Sequence, residues 1–464
     1  MNIVLVGAGG TGISGVALIL KQLGYQNIVC IDNQESQITK LLKKNDIKTI
    51  IGHGNYQVKP EDIVIYSDAA INSPEVIQSN KLKEKKLKKY HTNFSYFQFV
   101  GELSKYMKTI SIAGTHGKST TTALCINTIS KVSDKFGMGI LGALVGEFDN
   151  KNFLINKNRQ PEIGEIFNHI ISRKKSNLKP QNIKKLYMIV EADEFNQHFL
   201  YLDTDYSAIT NIELDHSDVY KNLETYIKSF SDFVKKTRFK CIGLRNIKEL
   251  KQLKQKHPEK ILLKNHTNIP LDYIFGDHNR QNSIIVYNIL KHIFPSQASN
   301  IKQNISKFKG LWRRCELIGE NKNQSLIFSD YGHHPTEINA VLDALKKKYP
   351  NKKINCIFQP HQARRVFEFF NKFLKSLKKV DNLIIYDIYT AREDIKRLSD
   401  KHQKFNGIDN KQKLGSFFAK KLNSNYTENF EKVYVNIFSL PKDRITIIFT
   451  AGDLDFKLRN SMKD

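Results

Sequence analysis

With 464 residues, 40% of them hydrophobic, the chain is long enough to bury several cores, yet no apolar run is long enough to cross a bilayer. Lys and Arg outnumber Asp and Glu by 73 to 46, a formal charge of +27, but the basic residues are dispersed and no nucleic-acid motif accompanies them, so the excess suits a solvated surface and small anionic substrates rather than nucleic acid. Five scattered cysteines without a CxxC pair, and an N-terminus that enters a strand directly, are expected of a cytoplasmic protein with free thiols, no signal peptide and no membrane partner.

The chain opens on an apolar strand pattern, Asn2 to Val6, followed by Gly7-Ala8-Gly9-Gly10-Thr11-Gly12 and a helix pattern through Leu23. A second strand, Ile28 to Ile31, ends at Asp32, twenty residues past Gly12. Strand, GxGxxG, helix, strand and acid in that order form a dinucleotide-type fingerprint, in which glycines let the backbone approach a pyrophosphate at a helix N-terminus. Taken alone, this start is compatible with an NAD(P)-dependent oxidoreductase. Strands are expected again at Ile63 to Tyr66 and around Ser67 to Ile71, and a lysine-rich solvated helix over Asn80 to Lys89. The basic, polar stretch Gly101 to Lys108 marks a first domain boundary.

A second anion loop follows. The β-branched run Thr109 to Ala113 ends at Gly114-Thr115-His116-Gly117, then Lys118-Ser119-Thr120 opens a helix-like segment through Ile129. Ile112 stands where the eight-position P-loop pattern needs its first glycine, so this is a shorter loop. Its chemistry is that of a phosphate cradle: N–H groups at a helix start, the mobile charge of Lys118, and the Ser119 hydroxyl for a phosphate-bound Mg²⁺. A dehydrogenase needs only the first loop. Two loops call for two nucleotide-like ligands, or one nucleotide-linked substrate plus a triphosphate.

The stretch from Phe153 to Lys185 reads as an insertion with one helix, Ile163 to Arg173. The strand Leu186 to Val190 then ends in Glu191-Ala192-Asp193-Glu194, and Tyr206 to Ile212 ends in Glu213-Leu214-Asp215-His216. Carboxylates at strand ends beside a phosphate loop suit Mg²⁺, a hard, oxygen-preferring ion. Gly276-Asp277-His278-Asn279 precedes a helix predicted over Ser283 to Phe294, and the adjacent Arg313 and Arg314 can reach phosphate oxygens or pair with Glu316. From a second boundary there, the α/β alternation restarts. Strands Ser325 to Phe328, Lys353 to Phe358, Leu383 to Tyr386 and Thr446 to Phe449 each empty into a polar cluster: Ser329 to Glu337, Gln359 to Arg365, Asp387 to Glu393 and Thr450 to Asp453. Lys396 to Asn429 reads as a charged helix on the solvated side.

In this order GAGGTGISG, AGTHGKSTTT, EADE, TNIELDHSD, GDHNRQN, RRCE, DYGHHPTEI, FQPH and AGD resemble the Mur ligases, ATP-dependent amide-forming enzymes of peptidoglycan precursor synthesis. The resemblance implies an α/β protein of three domains: a Rossmann-like UDP-sugar domain (1–107), a central P-loop-type ATPase domain with a parallel sheet (108–313) and a Rossmann-like C-terminal domain (314–464). It also implies a reaction, in which ATP phosphorylates the carboxylate of UDP-N-acetylmuramate and the amine of L-alanine attacks the acyl phosphate. Position by position, Gly7, Gly9, Gly10, Thr11, Gly12, Ser14 and Asp32 would hold the UDP-sugar. Gly114, Thr115, His116, Gly117, Lys118, Ser119 and Thr120, with Asn279 near the adenine and Asp330, would hold ATP. Ser119, Glu191 and His216 would bind Mg²⁺, and Arg313 or Arg314 would meet the γ-phosphate. Tyr331, His334, His361 and Arg365 would face the amino acid. Four departures stand out: Ser119 in place of the usual Thr, a Lys157 to Lys185 region longer and more basic than the family's, Gln362-Ala363 where the family has Arg-Tyr, and Arg392 where it tends to have Gly. The sibling that attaches a preformed murein peptide to the same UDP-sugar is the nearest alternative.

Overall fold

The computed structural model describes residues 1–84, 93–172, 184–216, 219–390, 393–401 and 403–462. The expected lysine-rich helix beyond residue 84, the middle of the expected insertion (173–183) and Arg392 lie outside them. The described residues build three sheets in two compact units: one of Met1–Tyr273 with Gln281–Lys309, the other of Ile274–Arg280 with Gly310–Asp464.

The first sheet takes β1 (Ile3–Val6), β2 (Ile28–Asp32), β3 (Lys48–Ile51), β4 (Ile63–Tyr66) and β5 (Asn93–Ser95) in the order β3-β2-β1-β4-β5, all parallel. Ile-Val-Leu-Val of β1 is buried on both faces, as a central parallel strand requires. The chain leaves β1 toward one side and later returns to the other, so the C-terminal ends of β1 and β4 flank a topological switch point, where open α/β sheets form their ligand crevice. The strand expected around Ser67 to Ile71 is instead a short 3₁₀ turn, Asp68–Ala70, whose Ala70 N–H bonds back to Ser67 O.

The second sheet holds β6 (Lys108–Ala113), β7 (Phe136–Val145), β8 (Lys151–Ile155), β9 (Tyr187–Glu191), β10 (Tyr206–Ile209), β11 (Cys241–Leu244) and β12 (Ile261–Lys264), ordered β12-β11-β10-β6-β9-β7-β8. It is parallel except for β8, which pairs antiparallel with β7. β6 therefore sits between β9 and β10, and the residues following these three strands are brought together. One hydrophobic cluster runs through both sheets, from Leu5 to Phe99, Met188 and Phe233.

In the second unit β13 (Glu316–Glu320), β14 (Leu326–Asp330), β15 (Lys353–Gln359), β16 (Asn382–Tyr386), β17 (Asn425–Thr427) and β18 (Arg444–Thr450) are ordered β13-β14-β18-β15-β16-β17, parallel except for β13. The segment read as one charged helix is broken into Ile395–Ser399, Lys411–Lys421 and the edge strand β17, and it buries Leu414 and Phe418 in the core. All five cysteines are free, four of them buried and Cys315 partly so.

Candidate active site

The first glycine loop closes β1 onto the helix Thr11–Gln22. Gly7 sits at φ +83°, where a Cβ would strike the Ser67 side chain. Asp32 accepts from the Gly9 N–H at 2.7 Å and from the Gln34 N–H at 3.2 Å, so the acid at the end of β2 shapes the loop itself. Gly10 is the N-cap of the helix. Ser14 is buried in the first turn of the helix, where its hydroxyl donates to Thr11 O at 3.1 Å. At the switch point a cavity of about 420 Å³ opens, lined by Gly7, Thr11, Asp68, Tyr96, Glu191 and Asp193 among others. It thus runs from the first loop to the carboxylates of the second sheet.

The second loop is stitched to the end of β10. His116 N–H donates to Asn211 Oδ1 at 2.9 Å, Thr210 Oγ1 donates to His116 O at 2.6 Å, and Thr115 Oγ1 donates to Glu213 O at 2.9 Å. Gly117, at φ +79°, caps the helix Lys118–Val132. Gly114 is more constrained still, at φ +136° with a virtual Cβ only 2.0 Å from Thr210 Oγ1. Gly114→Ala is therefore expected to destabilise the protein by roughly 3 kcal/mol, from a glycine-only backbone conformation plus the collision, measured as a shift of the denaturant midpoint.

Lys118 donates to Gly114 O at 2.7 Å, Thr115 O at 3.1 Å and Glu194 Oε1 at 2.9 Å. Burial alone would lower its pKa, but the carboxylates of Glu194, Asp193 and Glu191 outweigh this and raise it, so the ammonium is held charged. Ser119 Oγ donates to Glu191 Oε1 at 2.9 Å, and the Gly142 N–H donates to Glu191 Oε2 at 2.7 Å. Burial nevertheless pushes the Glu191 pKa up, the condition of a carboxylate that a cation would restore to its charged form. Two hard oxygen donors at this spacing fit Mg²⁺. His216, at φ +55°, directs Nε2 to Glu194 Oε1 at 3.5 Å, and despite burial this contact and Asp215 raise its pKa.

Sequence reasoning singled out Glu191 in this strand-end cluster and passed over Glu194, which is fully buried between Lys118 and His216. The acid itself is visible three residues past Glu191, but what marks it out is its burial, which spacing does not encode. The clamps Thr210 and Asn211 belong to the Thr-Asn-Ile-Glu run after β10, whose spacing alone gives them no role. Thr120 is buried in the first turn of the helix.

Of the residues assigned to the second unit, Asp277–Arg280 form the start of the helix predicted from Ser283, which begins this early because Gly276 at φ +96° supplies the turn before it. Asn279 is consequently a buried helical residue whose side chain donates to Phe275 O at 2.8 Å. The two arginines separate. Arg313 is 3% exposed, donates to the carbonyls of Thr450 and Gly452, and has Nε 3.7 Å from Asp455 Oδ2. The Arg314 side chain is 27% exposed, 3.7 Å from Glu337 and beneath the Tyr331 ring at 5.4 Å. Asp330 accepts from the N–H groups of Cys315 and Gly332 at 2.7 and 2.6 Å, and burial lifts its pKa to about 6. His334 caps the helix Pro335–Lys348 through its Nδ1 and is 1% exposed. His361 stacks on Tyr389, and burial next to Arg365 lowers its pKa to about 4. At the departure from Arg-Tyr, Gln362 accepts from Arg365 Nη1 at 2.7 Å.

Residues 112–302 match the Mur ligase middle domain, and residues 313–425 the Mur ligase glutamate ligase domain. A UDP-N-acetylmuramate–L-alanine ligase of Endomicrobium trichonymphae is 31% identical over 428 residues, 84% of this chain and 85% of that protein. The fold is similar to that of UDP-N-acetylmuramate-alanine ligase MurC from Thermotoga maritima, with a TM-score of 0.72 and 19% identity over 100% of this chain and 98% of the other. It is also similar to a murein peptide ligase from Psychrobacter arcticus, with a TM-score of 0.65 and 18% identity over 100% and 98%. A short phosphate loop braced by the end of β10, a Ser–Glu pair beside it and 31% identity across most of both lengths lead to one statement: the chain belongs to the Mur ligase family.

Proposed function

We infer that this chain is an ATP-dependent ligase that joins L-alanine to UDP-N-acetylmuramate in peptidoglycan precursor synthesis, acting in the cytoplasm. The observation that carries the reading is the cavity reaching from the first glycine loop to Glu191, because it links a nucleotide-sugar cradle to the strand ends that flank the phosphate loop. Relatives at about the same identity supply the choice of L-alanine, while the likeness to the murein peptide ligase is one of fold alone.

A carboxylate is a poor electrophile, and phosphorylation turns one of its oxygens into a leaving group. The protein's task is to position the two reactants and stabilise charge on the transferring phosphoryl group. On this reading the first loop, from Gly7 to Gly12, seats the UDP pyrophosphate and leaves the muramyl carboxylate near Glu191. Lys118 exchanges its loop carbonyls for the β- and γ-phosphates of ATP. Ser119, Glu191 and His216 are the residues to hold Mg²⁺, which when bound screens phosphate charge. Glu194 orients Lys118 and His216. Arg314 is assigned to the phosphoryl oxygens; Tyr331, His334, His361 and Arg365 to the amino acid; Asn279 and Asp330 to the nucleotide. The division at 107 and 313 is assigned on the same basis, the first bound falling between two sheets that share one core.

The test is an ATP-dependent phosphate-release assay with UDP-N-acetylmuramate and a panel of amines: L-alanine, glycine, L-serine and the murein tripeptide. Release is expected with L-alanine at a kcat/KM at least about tenfold above glycine, since one methyl group is worth roughly that much in a fitted pocket. Release with the tripeptide alone would replace the reading by that of the sibling enzyme. A thermal shift with NAD(H) and none with ATP would favour the oxidoreductase.

A further inference from the structure

His198 is buried, with 6% of its side chain exposed, and has no task in the reaction as described. Its Nε2 lies 2.6 Å from Asp68 Oδ2, on the turn after β4 of the first sheet, and its Nδ1 lies 3.3 Å from Asp193 Oδ2, after β9 of the second. An ionised carboxylate only accepts hydrogen bonds, and a neutral imidazole has one N–H, so the two contacts together require the imidazolium. The ring stacks on Phe97 at 3.7 Å between centroids and 12° between planes, and Phe195 stands tilted at 5.9 Å. Asp68, Asp193 and Phe97 all line the 420 Å³ cavity, together with Glu191.

That wall has the wrong sign for its ligand. Three carboxylates face a cavity assigned to a substrate carrying a pyrophosphate and a carboxylate of its own. Phe97 and Phe195 do not titrate, so among the described residues His198 is the cation in contact with both Asp68 and Asp193, while Lys118 acts on Asp193 from the loop side. We propose that His198 is a positioning residue for the sugar-nucleotide substrate: its imidazolium clamps Asp68 to Asp193 across the two sheets and neutralises the wall against which the anionic muramyl pyrophosphate is seated. The proposal rests on the ligase reading given above. Burial draws the pKa of His198 down, and the two carboxylates more than reverse this, to about 9, so the clamp stays charged through neutral pH.

Three variants of the full chain test it: His198→Gln, Asp68→Asn and the two combined. His198→Gln is expected to raise the KM for UDP-N-acetylmuramate about tenfold, with kcat within about threefold and the KM for ATP unchanged. The double variant removes the uncovered charge and is expected to return that KM to within about threefold of the parent, a rescue that loss of packing would not give. An unchanged KM in His198→Gln, or a double variant no better than the single, overturns the proposal. Should His198→Gln fail to fold, Asp68→Asn decides alone: its side chain is partly exposed, it lightens the negative wall, and a rise of about tenfold in the same KM overturns the proposal. If the parent enzyme releases no phosphate with UDP-N-acetylmuramate and L-alanine, the ligase reading fails separately. Calorimetric binding of UDP-N-acetylmuramate to the same four proteins then decides the role of His198, with an order-of-magnitude weakening in His198→Gln and its recovery in the double variant as the expected result.

Discussion

Lys118→Met is expected to lower kcat for ATP-dependent phosphate release at least about a thousandfold, with the nucleotide still bound. A positioned cation at a transferring phosphoryl group contributes more in the transition state, where charge is spread over the equatorial oxygens, than in the ground state. The interpretation needs a control, because Lys118 is also the counter-ion of Glu194, whose side chain is fully buried. Removing one partner of a buried pair typically destabilises by roughly 3–5 kcal/mol, and a protein partly unfolded at the assay temperature would mimic lost catalysis. Adding Glu194→Gln to Lys118→Met removes the stranded charge. The double variant should therefore recover most of the lost melting temperature and none of the activity. Recovery of both would make Lys118 a structural residue and remove it from the reaction.

The sequence made the phosphate loop readable because its chemistry is local. Strand, glycines, lysine and hydroxyl follow one another within a few residues, and the geometry at Gly114 and Gly117 needs those glycines. The carboxylate cluster was half readable. Glu191 stands at the end of an apolar strand, where the doubly wound pattern places chemistry, whereas Glu194 depends on a burial that no spacing reveals. His198 was invisible for a stronger reason. Its partners Asp68 and Asp193 come from two sheets, and nothing in the run Phe195 to Leu200 encodes the approach of the turn at Asp68–Ala70. Element boundaries failed where side chains compete with the ladder. The strand expected to reach Ile212 stops at Ile209, because Thr210 and Asn211 turn to hold His116 O. The region after Lys396 misled through composition: Lys413, Lys420 and Lys421 lie on the exposed face of the helix Lys411–Lys421, which buries Leu414 and Phe418 on the other.

The adjacent arginines are expected to separate cleanly on substitution, although composition and spacing gave them equal standing. Arg313, held at φ +54° among the carbonyls of Thr450 and Gly452, ties the end of β18 to the residues before β13, and burial lowers its pKa even with Asp455 beside it. Its loss leaves those carbonyls without their donor and Asp455 with Arg459 as its remaining arginine contact at 3.0 Å. Arg313→Ala should therefore lower stability by about 3 kcal/mol or more, seen as a fall of several degrees in the melting midpoint, and should reduce activity only as far as the folded fraction falls. Arg314 is more exposed, and its ion pair with Glu337 at 3.7 Å is of little consequence for stability in a partly solvated setting. Arg314→Ala should leave the melting midpoint within about two degrees and lower kcat by roughly 10²–10³, the cost of removing one positioned cation from a phosphoryl-transfer site. Arg314→Lys should recover part of that loss, since it keeps the charge and gives up the planar fork. The reverse pattern, with the melting midpoint carried by Arg314 and turnover by Arg313, would require the guanidinium of Arg313 to leave the β18 carbonyls during catalysis. It would exchange the roles assigned to the two residues.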